Sequence, residues 1–266
     1  MDMKQLTLGI CPLFNSRLFK KFQHDHEDAV AILFATGPSL NDFSYSGLPE
    51  LPSVRVGVNS FIYHDQYELD YYFCGHDVSK EGPDHPHSGI EKVDPIREKI
   101  KSRSSDMQVF CACAGLRRDS LSGEIQQHEH ETFFSAEARR EFNAIPYVVS
   151  WFGKGREVFA TSLEYQPLYN HSIAFPALQF LLYTGVGKIY LVGCDCGGGA
   201  SYLTSDVPWM TANTLTIGNF TKGRDVVWHW REFAEFKNVM YPDVEIISVN
   251  PHGLKGMFEE CDTRGG

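Results

Sequence analysis

The chain has little positive charge and no long uninterrupted hydrophobic run. Its 266 residues carry 24 Lys and Arg against 34 Asp and Glu, a formal net charge of −10. Because a protein that binds duplex nucleic acid neutralises phosphates with clustered basic side chains, we expect no nucleic-acid partner. The longest apolar stretch, 173–192, is interrupted by Pro176, Gln179, Gly185 and Lys188, whereas a membrane-spanning helix needs about 20 apolar residues. The sequence therefore predicts a soluble protein.

Motifs of several common enzyme classes are also missing. Without G-x-G-x-x-G an NAD-binding fold is poorly supported, and without G-x-x-x-x-G-K-[ST] a P-loop kinase is excluded. No D-x-D follows a predicted strand, so we expect no metal ion bridging a donor diphosphate. Seven cysteines, an odd number, and no secretory leader predict reduced thiols and a cytoplasmic location. The pairs Cys111/Cys113 and Cys194/Cys196 suit a metal, but packing on one face of a strand explains them at least as well.

The chain does contain short apolar runs that alternate with helical patterns. Apolar residues make up 42% of the sequence, enough for a sizeable core. Residues at helical spacing predict helices that start near Ser172 and Asp225. This alternation predicts an α/β, Rossmann-like, mostly parallel sheet with helices on both faces, in a single domain over 1–266 with an insertion or lid at about 79–155. Runs bounded by turn residues predict buried parallel strands at 29–35, 54–58, 71–74, 188–193 and 244–249.

Polar residues follow all five of these predicted strands. The carboxyl ends of parallel strands meet at one edge of an open sheet, where such sheets bind their ligands. Five polar ends together favour a binding site over a set of ordinary turns. The ends are Thr36-Gly37-Pro38-Ser39, Asn59-Ser60, His76-Asp77, Cys194-Asp195 and Asn250-Pro251-His252.

The first of these ends has the chemistry of a phosphate-binding turn. Gly37 allows the backbone to approach a ligand closely, Pro38 fixes the turn, and Ser39 can cap the following helix while its amide faces an anion. Backbone amides at a helix start hold a phosphorylated ligand even in an acidic protein. We therefore predict that residues 36–39 bind a phosphate group.

Three blocks of the chain resemble the bacterial sialyltransferases that use CMP-activated sialic acid. Those enzymes begin with a strand, a G-N-G-P-S-L turn, a D-Y-S-x-L-P segment and a C-N-x-F strand end. They continue with a helix, the strand K-E-I-Y-L-x-G-x-D, a small-residue loop with S-Y, and a last strand with a P-N-S loop. The matching blocks, in the same order, are 29–63 (AVAILFATGPSLNDFSYSGLPELPSVRVGVNSFIY), 172–202 (SIAFPALQFLLYTGVGKIYLVGCDCGGGASY) and 245–258 (EIISVNPHGLKGMF).

The resemblance implies a metal-independent, GT-A-like glycosyltransferase without a cofactor. Such an enzyme moves a sugar from a nucleotide-activated donor to a hydroxyl of a glycan acceptor. Asn59 matches the family's nucleotide-contacting Asn, and His76 stands where the family has a further Asn. The implied contacts to the nucleotide or donor are Thr36, Gly37, Pro38, Ser39, Asn59, His76, Ser172 and Asp195.

His229 is the general base that the resemblance implies. The family's base is a His between the S-Y segment and the last strand, and His229 is the only His in that interval. Histidine has a pKa suited to taking the acceptor's proton near neutral pH. A His packed in the core between Trp228 and Trp230 is the alternative, and His252 or His171 would then be the base.

Some features of the function stay open. The family has an Arg before the helix at Ser172 where this chain has Asn170-His171, so the donor is CMP-sialic acid or another nucleotide sugar. Motility-accessory and pterin-diphosphokinase-like proteins share the middle block, which leaves Mg²⁺-dependent diphosphoryl transfer with Asp77 and Asp195 as an alternative. A non-catalytic nucleotide-binding protein is the other alternative. Peripheral membrane contact through a lipid-linked acceptor and a homo-oligomer are also open.

Overall fold

The computed structural model describes residues 18–74, 93–103, 105–118, 125–129, 142–150, 158–169, 172–196 and 224–264. The described strands are β1 (Val30–Phe34), β2 (Val54–Val58), β3 (Tyr71–Cys74), β4 (Gln108–Arg118), β5 (Ile125–Glu129), β6 (Ile145–Ser150), β7 (Leu168–Tyr169), β8 (Lys188–Val192), β9 (Glu245–Val249) and β10 (Glu259–Cys261). The described α-helices are α1 (Val93–Arg103), α2 (Ala174–Thr184) and α3 (Arg224–Met240), and short 3₁₀ turns cover Lys20–Phe22, Pro38–Asp42, Tyr45–Gly47 and Asn59–Tyr63.

The described strands form one sheet in the order β10-β9-β8-β1-β2-β3-β4-β6-β7, and β5 pairs with β4. Every described pair is parallel except β4 with β5. The five strands that the sequence predicts are neighbours in the order β9-β8-β1-β2-β3, and all are parallel. The predicted parallel sheet is therefore confirmed. The prediction succeeds because parallel strands that are covered on both faces have continuous apolar sequences of this kind.

Two apolar layers cover the two faces of the sheet. Alternate residues of β1 belong to different layers: Ala31 and Leu33 pack with α2 and α3, while Ile32 and Phe34 pack with the 3₁₀ turns and with Ile100 of α1. This alternation follows from the two-residue period of a strand. The expected helices on both faces are therefore confirmed. Among the described residues, no helix is both long and apolar enough to cross a bilayer.

Part of the segment that the sequence predicts as an insertion, about 79–155, belongs to the sheet. β4 pairs in parallel with β3 on one side and β6 on the other, so both strands continue the main sheet. The pattern of β6 is hard to recognise because Pro146 lies within it, and proline is rare in interior strands. The rest of the segment, outside α1, β4, β5 and 142–150, lies almost entirely outside the described residues.

Candidate functional site

Asp195 joins the ends of three neighbouring strands through its carboxylate and its backbone carbonyl. Asp195 follows β8 and is only 5% exposed. Its Oδ2 accepts a hydrogen bond of 2.7 Å from the backbone N–H of Ser39, which follows β1. His252, which follows β9, lies near this carboxylate, and the N–H of Gly253 donates to the Asp195 carbonyl at 3.0 Å. We call this group, with Gly37 and Gly193, the Asp195 junction.

Ser39 contributes its hydroxyl as well as its amide to the Asp195 junction. The backbone N–H of Gly193 donates to Ser39 Oγ at 3.0 Å, and the Ser39 hydroxyl lies near the Asp195 carboxylate. Ser39 is itself 1% exposed. The predicted anion at this turn is therefore present, but it is a carboxylate of the same chain. The expected helix cap is absent from this described turn, because Pro38–Asp42 has no side-chain capping bond.

Gly37 has a packing role that its sequence position does not suggest. A Cβ built on Gly37 would overlap Asp195 Oδ2 and would lie 2.5 Å from the Gly193 carbonyl oxygen. The N–H of Gly37 donates to that same carbonyl at 2.8 Å. Gly37 thus makes a close approach within the chain, because β1 and β8 end side by side. Gly37 lacks a side chain to make room for Asp195.

Burial changes the pKa values of the acidic groups at the Asp195 junction. Removal from water raises the pKa of Asp195, while the bonds from Ser39 and the nearby His252 act in the opposite direction. Burial also raises the pKa of the Cys196 thiol to about 12 and that of Cys194 well above its usual range. Both thiols are therefore protonated at neutral pH, which suits packing rather than a nucleophile or metal ligand. Among the residues that the structure describes, no three His, Cys, Asp or Glu side chains form a metal-binding group.

A small depression opens beside the Asp195 junction, between the ends of β8 and β9. Ser39, Asp195 and Ser248 are among the residues that line it, and its volume is about 10 Å³, room for about one water molecule. This volume is below the roughly 300–1,000 Å³ of small-molecule sites, so the described residues provide only part of such a site. Ser248 is 2% exposed, and within the described structure its hydroxyl has no hydrogen-bond partner. The sequence did not point to Ser248, since a single Ser in an apolar strand has no motif around it.

The other residues predicted for the nucleotide are distributed around this edge. Thr36 is partly exposed between β1 and Gly37. Asn59 follows β2 with a φ of 46°, and its carbonyl accepts a 2.7 Å bond from the Tyr72 hydroxyl. Ser172 lies just before α2, where its carbonyl accepts a bond from the N–H of Phe175 at 2.9 Å. Pro38 begins the 3₁₀ turn, and His76, Asp77, Asn170 and His171 lie outside the described residues.

Asn250, another predicted strand end, serves the C-terminal segment. Its side-chain amide donates to Thr263 Oγ1 at 2.9 Å and to the Asp42 carbonyl at 3.1 Å. The Thr263 N–H donates back to Asn250 Oδ1 at 2.8 Å. The side chain is therefore used to hold residues after β10 against the turn that follows β1. Its polarity has a structural explanation.

His229 lies in the first third of α3 and is buried. It is 8% exposed, its ring packs 4.7 Å from that of Trp228, and its Nδ1 lies 2.6 Å from the Tyr169 hydroxyl. Tyr169 ends β7 and is 1% exposed. The next residue along α3, Trp230, lies beside the thiol of Cys196. The N-terminal part of α3 is thus connected to the same edge of the sheet as Asp195.

Gln179 holds Tyr169 in place from within α2. Its Oε1 accepts bonds from the N–H of Ala160 at 2.8 Å and of Tyr169 at 3.1 Å. Its Nε2 donates to the carbonyls of Tyr169 at 3.0 Å and Phe175 at 2.8 Å. The side-chain amide of Gln179 therefore makes the hydrogen bonds to the Tyr169 backbone that a neighbouring strand would make on the outer side of β7. A polar residue within a helix that is otherwise buried and largely apolar is the signal that sequence inspection could have used.

Solved structures of known proteins provide the comparison for this fold. No family model matches the chain, and no curated protein matches it by sequence. A structure of the sialyltransferase CstII from Campylobacter jejuni, in complex with the substrate analogue CMP-3FNeuAc, matches with a TM-score of 0.51 and 15% identity, over 90% of this chain and 88% of that chain. The chain has the fold of CstII.

Two further structures superpose less closely. A CstII structure in complex with cytidine-5'-monophosphate has a TM-score of 0.49 at 15% identity, over 90% of this chain and 88% of that one. The α-2,3-sialyltransferase Cst-I from Campylobacter jejuni has a TM-score of 0.43 at 15% identity, over 84% and 75%. The CstII fold agrees with the α/β architecture and the likeness that the sequence suggested.

Proposed function

We propose that this chain transfers a sugar from a nucleotide-activated donor to a glycan hydroxyl without a metal ion. The observation that carries the proposal is the Asp195 junction, which lies at the carboxyl edge of a sheet with the CstII fold. Open parallel sheets bind ligands at this edge, and the matching CstII structure holds CMP-3FNeuAc. The donor is CMP-sialic acid or another nucleotide sugar.

The nucleotide in this proposal contacts Thr36, Gly37, Pro38, Ser39, Asn59, His76, Ser172 and Asp195. Because the Ser39 amide is bonded to a carboxylate, that amide is not available to a phosphate, and the negative charge of Asp195 repels one. A carboxylate accepts hydrogen bonds from hydroxyl and amino groups instead. We therefore assign Asp195 to the nucleoside part of the donor and the phosphate to the other residues of this set.

Transfer to a hydroxyl also requires a base that removes its proton. His229, the residue that the sequence favours, is buried and bonded to Tyr169. His252 is exposed at the Asp195 junction and is the second candidate. A lipid-linked acceptor with peripheral membrane contact and a homo-oligomer also remain part of the proposal.

Thermal melting with CMP, UDP and GDP, each with and without Mg²⁺, tests the proposal. A ligand at 100 times its Kd stabilises a protein by about 2.7 kcal/mol, which raises Tm by roughly 5–10 °C at this size. We expect one nucleotide to do so equally well with and without Mg²⁺. Asp195→Asn should weaken its binding at least tenfold, while Asp262→Asn, at an exposed carboxylate bonded to Arg264, should not. No shift with any nucleotide would refute the proposal.

A non-catalytic nucleotide-binding protein is the second candidate function. It is favoured by the burial of His229 and its bond to Tyr169, since a packed histidine needs no catalytic role. Both functions predict the same melting shifts, but only the enzyme releases the nucleotide from its sugar donor. Incubation of the chain with the sugar donor of the stabilising nucleotide and a mixture of glycan acceptors, followed by chromatography of free nucleotide, separates the two.

A further inference from the structure

The hydrogen bond between Tyr169 and His229 determines which nitrogen of the imidazole carries the proton. The Tyr169 hydroxyl and His229 Nδ1 are 2.6 Å apart and the contact is buried. A neutral imidazole has one N–H and one nitrogen with a free lone pair. If the phenol donates to Nδ1, the ring proton is on Nε2. If Nδ1 donates to the phenol, Nε2 has the lone pair that a base needs.

The chemistry of the two groups favours donation from the phenol. A phenol, with an ordinary pKa of about 10, is the stronger acid of the pair, and an imidazole nitrogen, at about 6.5, is the stronger base. The stronger acid facing the stronger base makes the better hydrogen bond. Burial, together with the charge of Glu232, raises the pKa of Tyr169 further, so the phenol keeps its proton.

Two elements hold the phenol in position for this contact. Tyr169 pairs with Ser150 of β6 on one side. On the other side Gln179 binds both its N–H and its carbonyl. The ring of Trp228 packs against the imidazole and limits its rotation. Tyr169 and His229 therefore meet with little freedom on either side, as a preorganised contact requires.

We propose that Tyr169 donates its hydroxyl proton to His229 Nδ1 and holds the neutral imidazole in the form with its proton on Nε2. Tyr169 is then a positioning residue. The consequence for catalysis rests on the proposed function: in this form the one basic lone pair of the imidazole, on Nδ1, is engaged by the Tyr169 hydroxyl, so His229 does not act as the base. The base of the transfer would then be His252.

Nitrogen NMR of the full chain with ¹⁵N-labelled histidine tests the tautomer directly. The signals of His229 are those lost in a His229→Gln variant. We expect Nδ1 of His229 to have the shift of an unprotonated, hydrogen-bonded nitrogen and Nε2 that of a protonated one. In Tyr169→Phe the Nδ1 signal should move toward that of a nitrogen without a hydrogen bond. Tyr165→Phe, at an exposed tyrosine, should leave it unchanged.

Two results would overturn the inference. One is a protonated Nδ1 in the unaltered chain, which would mean that His229 donates to Tyr169 and could act as a base. The other is an Nδ1 signal that Tyr169→Phe does not move, provided that the variant melts as a folded protein. Neither result depends on turnover. If the expected tautomer is found but no nucleotide binds, the proposed function fails and the tautomer assignment stands.

Discussion

Tyr169, Gln179 and His229 form a second buried polar group, here called the Tyr169 cluster. It differs from the Asp195 junction in how its polar atoms are hydrogen-bonded. Both bury polar atoms near the carboxyl edge of the sheet. The junction uses the carboxylate and the carbonyl of Asp195, after β8, to bind the backbones that follow β1 and β9. The Tyr169 cluster uses an amide and a phenol to join an edge strand to two helices. The first therefore depends on close backbone packing, and the second on side-chain hydrogen bonds.

Removing the amide of Gln179 should produce the largest loss of stability. Gln179→Leu would leave the buried N–H groups of Ala160 and Tyr169 and the Tyr169 carbonyl without these partners. An unsatisfied buried polar group costs about 1–3 kcal/mol, so we expect a loss of about 4 kcal/mol in the free energy of unfolding. Urea denaturation followed by circular dichroism measures it.

Gln166 offers a matched control for this substitution. Its Oε1 also accepts backbone N–H bonds, from Thr161 at 2.8 Å and Ser162 at 3.0 Å, but near solvent. Gln166→Leu should cost under about 1 kcal/mol, because water can replace the amide. Equal costs at the two sites would show that the Tyr169 cluster is not held by Gln179.

A side chain at Gly37 should produce the next largest effect. In Gly37→Val, Cβ must displace the Asp195 carboxylate and the Gly193 backbone, and overpacking of this kind costs about 1–3 kcal/mol. We expect the upper end of that range, about 3 kcal/mol, because one of the two neighbours is main chain. A Gly37 that served only to let a ligand approach would instead leave the fold intact in Gly37→Val while nucleotide affinity fell.

Gly256→Ala is the control for Gly37→Val. Gly256 has a φ of 74° and no atom within 4 Å of an added Cβ, so its substitution measures backbone strain alone, about 1 kcal/mol. Thermal melting of both variants gives the comparison. If Gly37→Val melts like the unaltered chain yet loses nucleotide binding, the ligand-approach role is right and the packing role is wrong.

The sequence was informative about the Asp195 junction because strand ends must converge in any parallel sheet. Buried apolar runs predicted five strands, and the polar residues after them placed Gly37, Ser39 and Asp195 at one edge. It could not show that the partner of the Ser39 amide is Asp195, 156 residues away. A carboxylate and a ligand phosphate present the same charge to such an amide.

The Tyr169 cluster was largely invisible to sequence inspection. Tyr169 and His229 are 60 residues apart, and β7 has only two residues, too few for a periodic pattern. The family resemblance predicts that His229 is the general base, whereas its position between two tryptophans predicts a histidine that is packed in the core. Only the distance from Nδ1 to the Tyr169 hydroxyl provides a reason to distinguish the base from the hydrogen-bond donor.

The pH dependence of stability should distinguish the Asp195 junction from the Tyr169 cluster. We expect this effect to be the smallest of the three, and it is specific to the ionisation of Asp195. Since burial raises the pKa of Asp195 above the ordinary 3.8, the folded chain binds this proton more tightly than the unfolded chain does. Its contribution to stability is then greatest at acid pH and is lost as pH rises from about the ordinary value through the raised one. Asp195→Asn removes this ionisation, so its stability relative to the unaltered chain should improve as pH rises from acid to neutral.

Asp262→Asn should show the opposite trend, because Arg264 lowers the pKa of Asp262 to about 2 and the charged form favours folding. The phenol of Tyr169 contributes no ionisation of its own in this range, because its raised pKa keeps it protonated throughout. Urea denaturation of the unaltered chain, Asp195→Asn and Asp262→Asn between pH 3 and pH 7 measures these differences, and parallel curves for Asp195→Asn and the unaltered chain would mean that the Asp195 carboxylate is not held in a desolvated position.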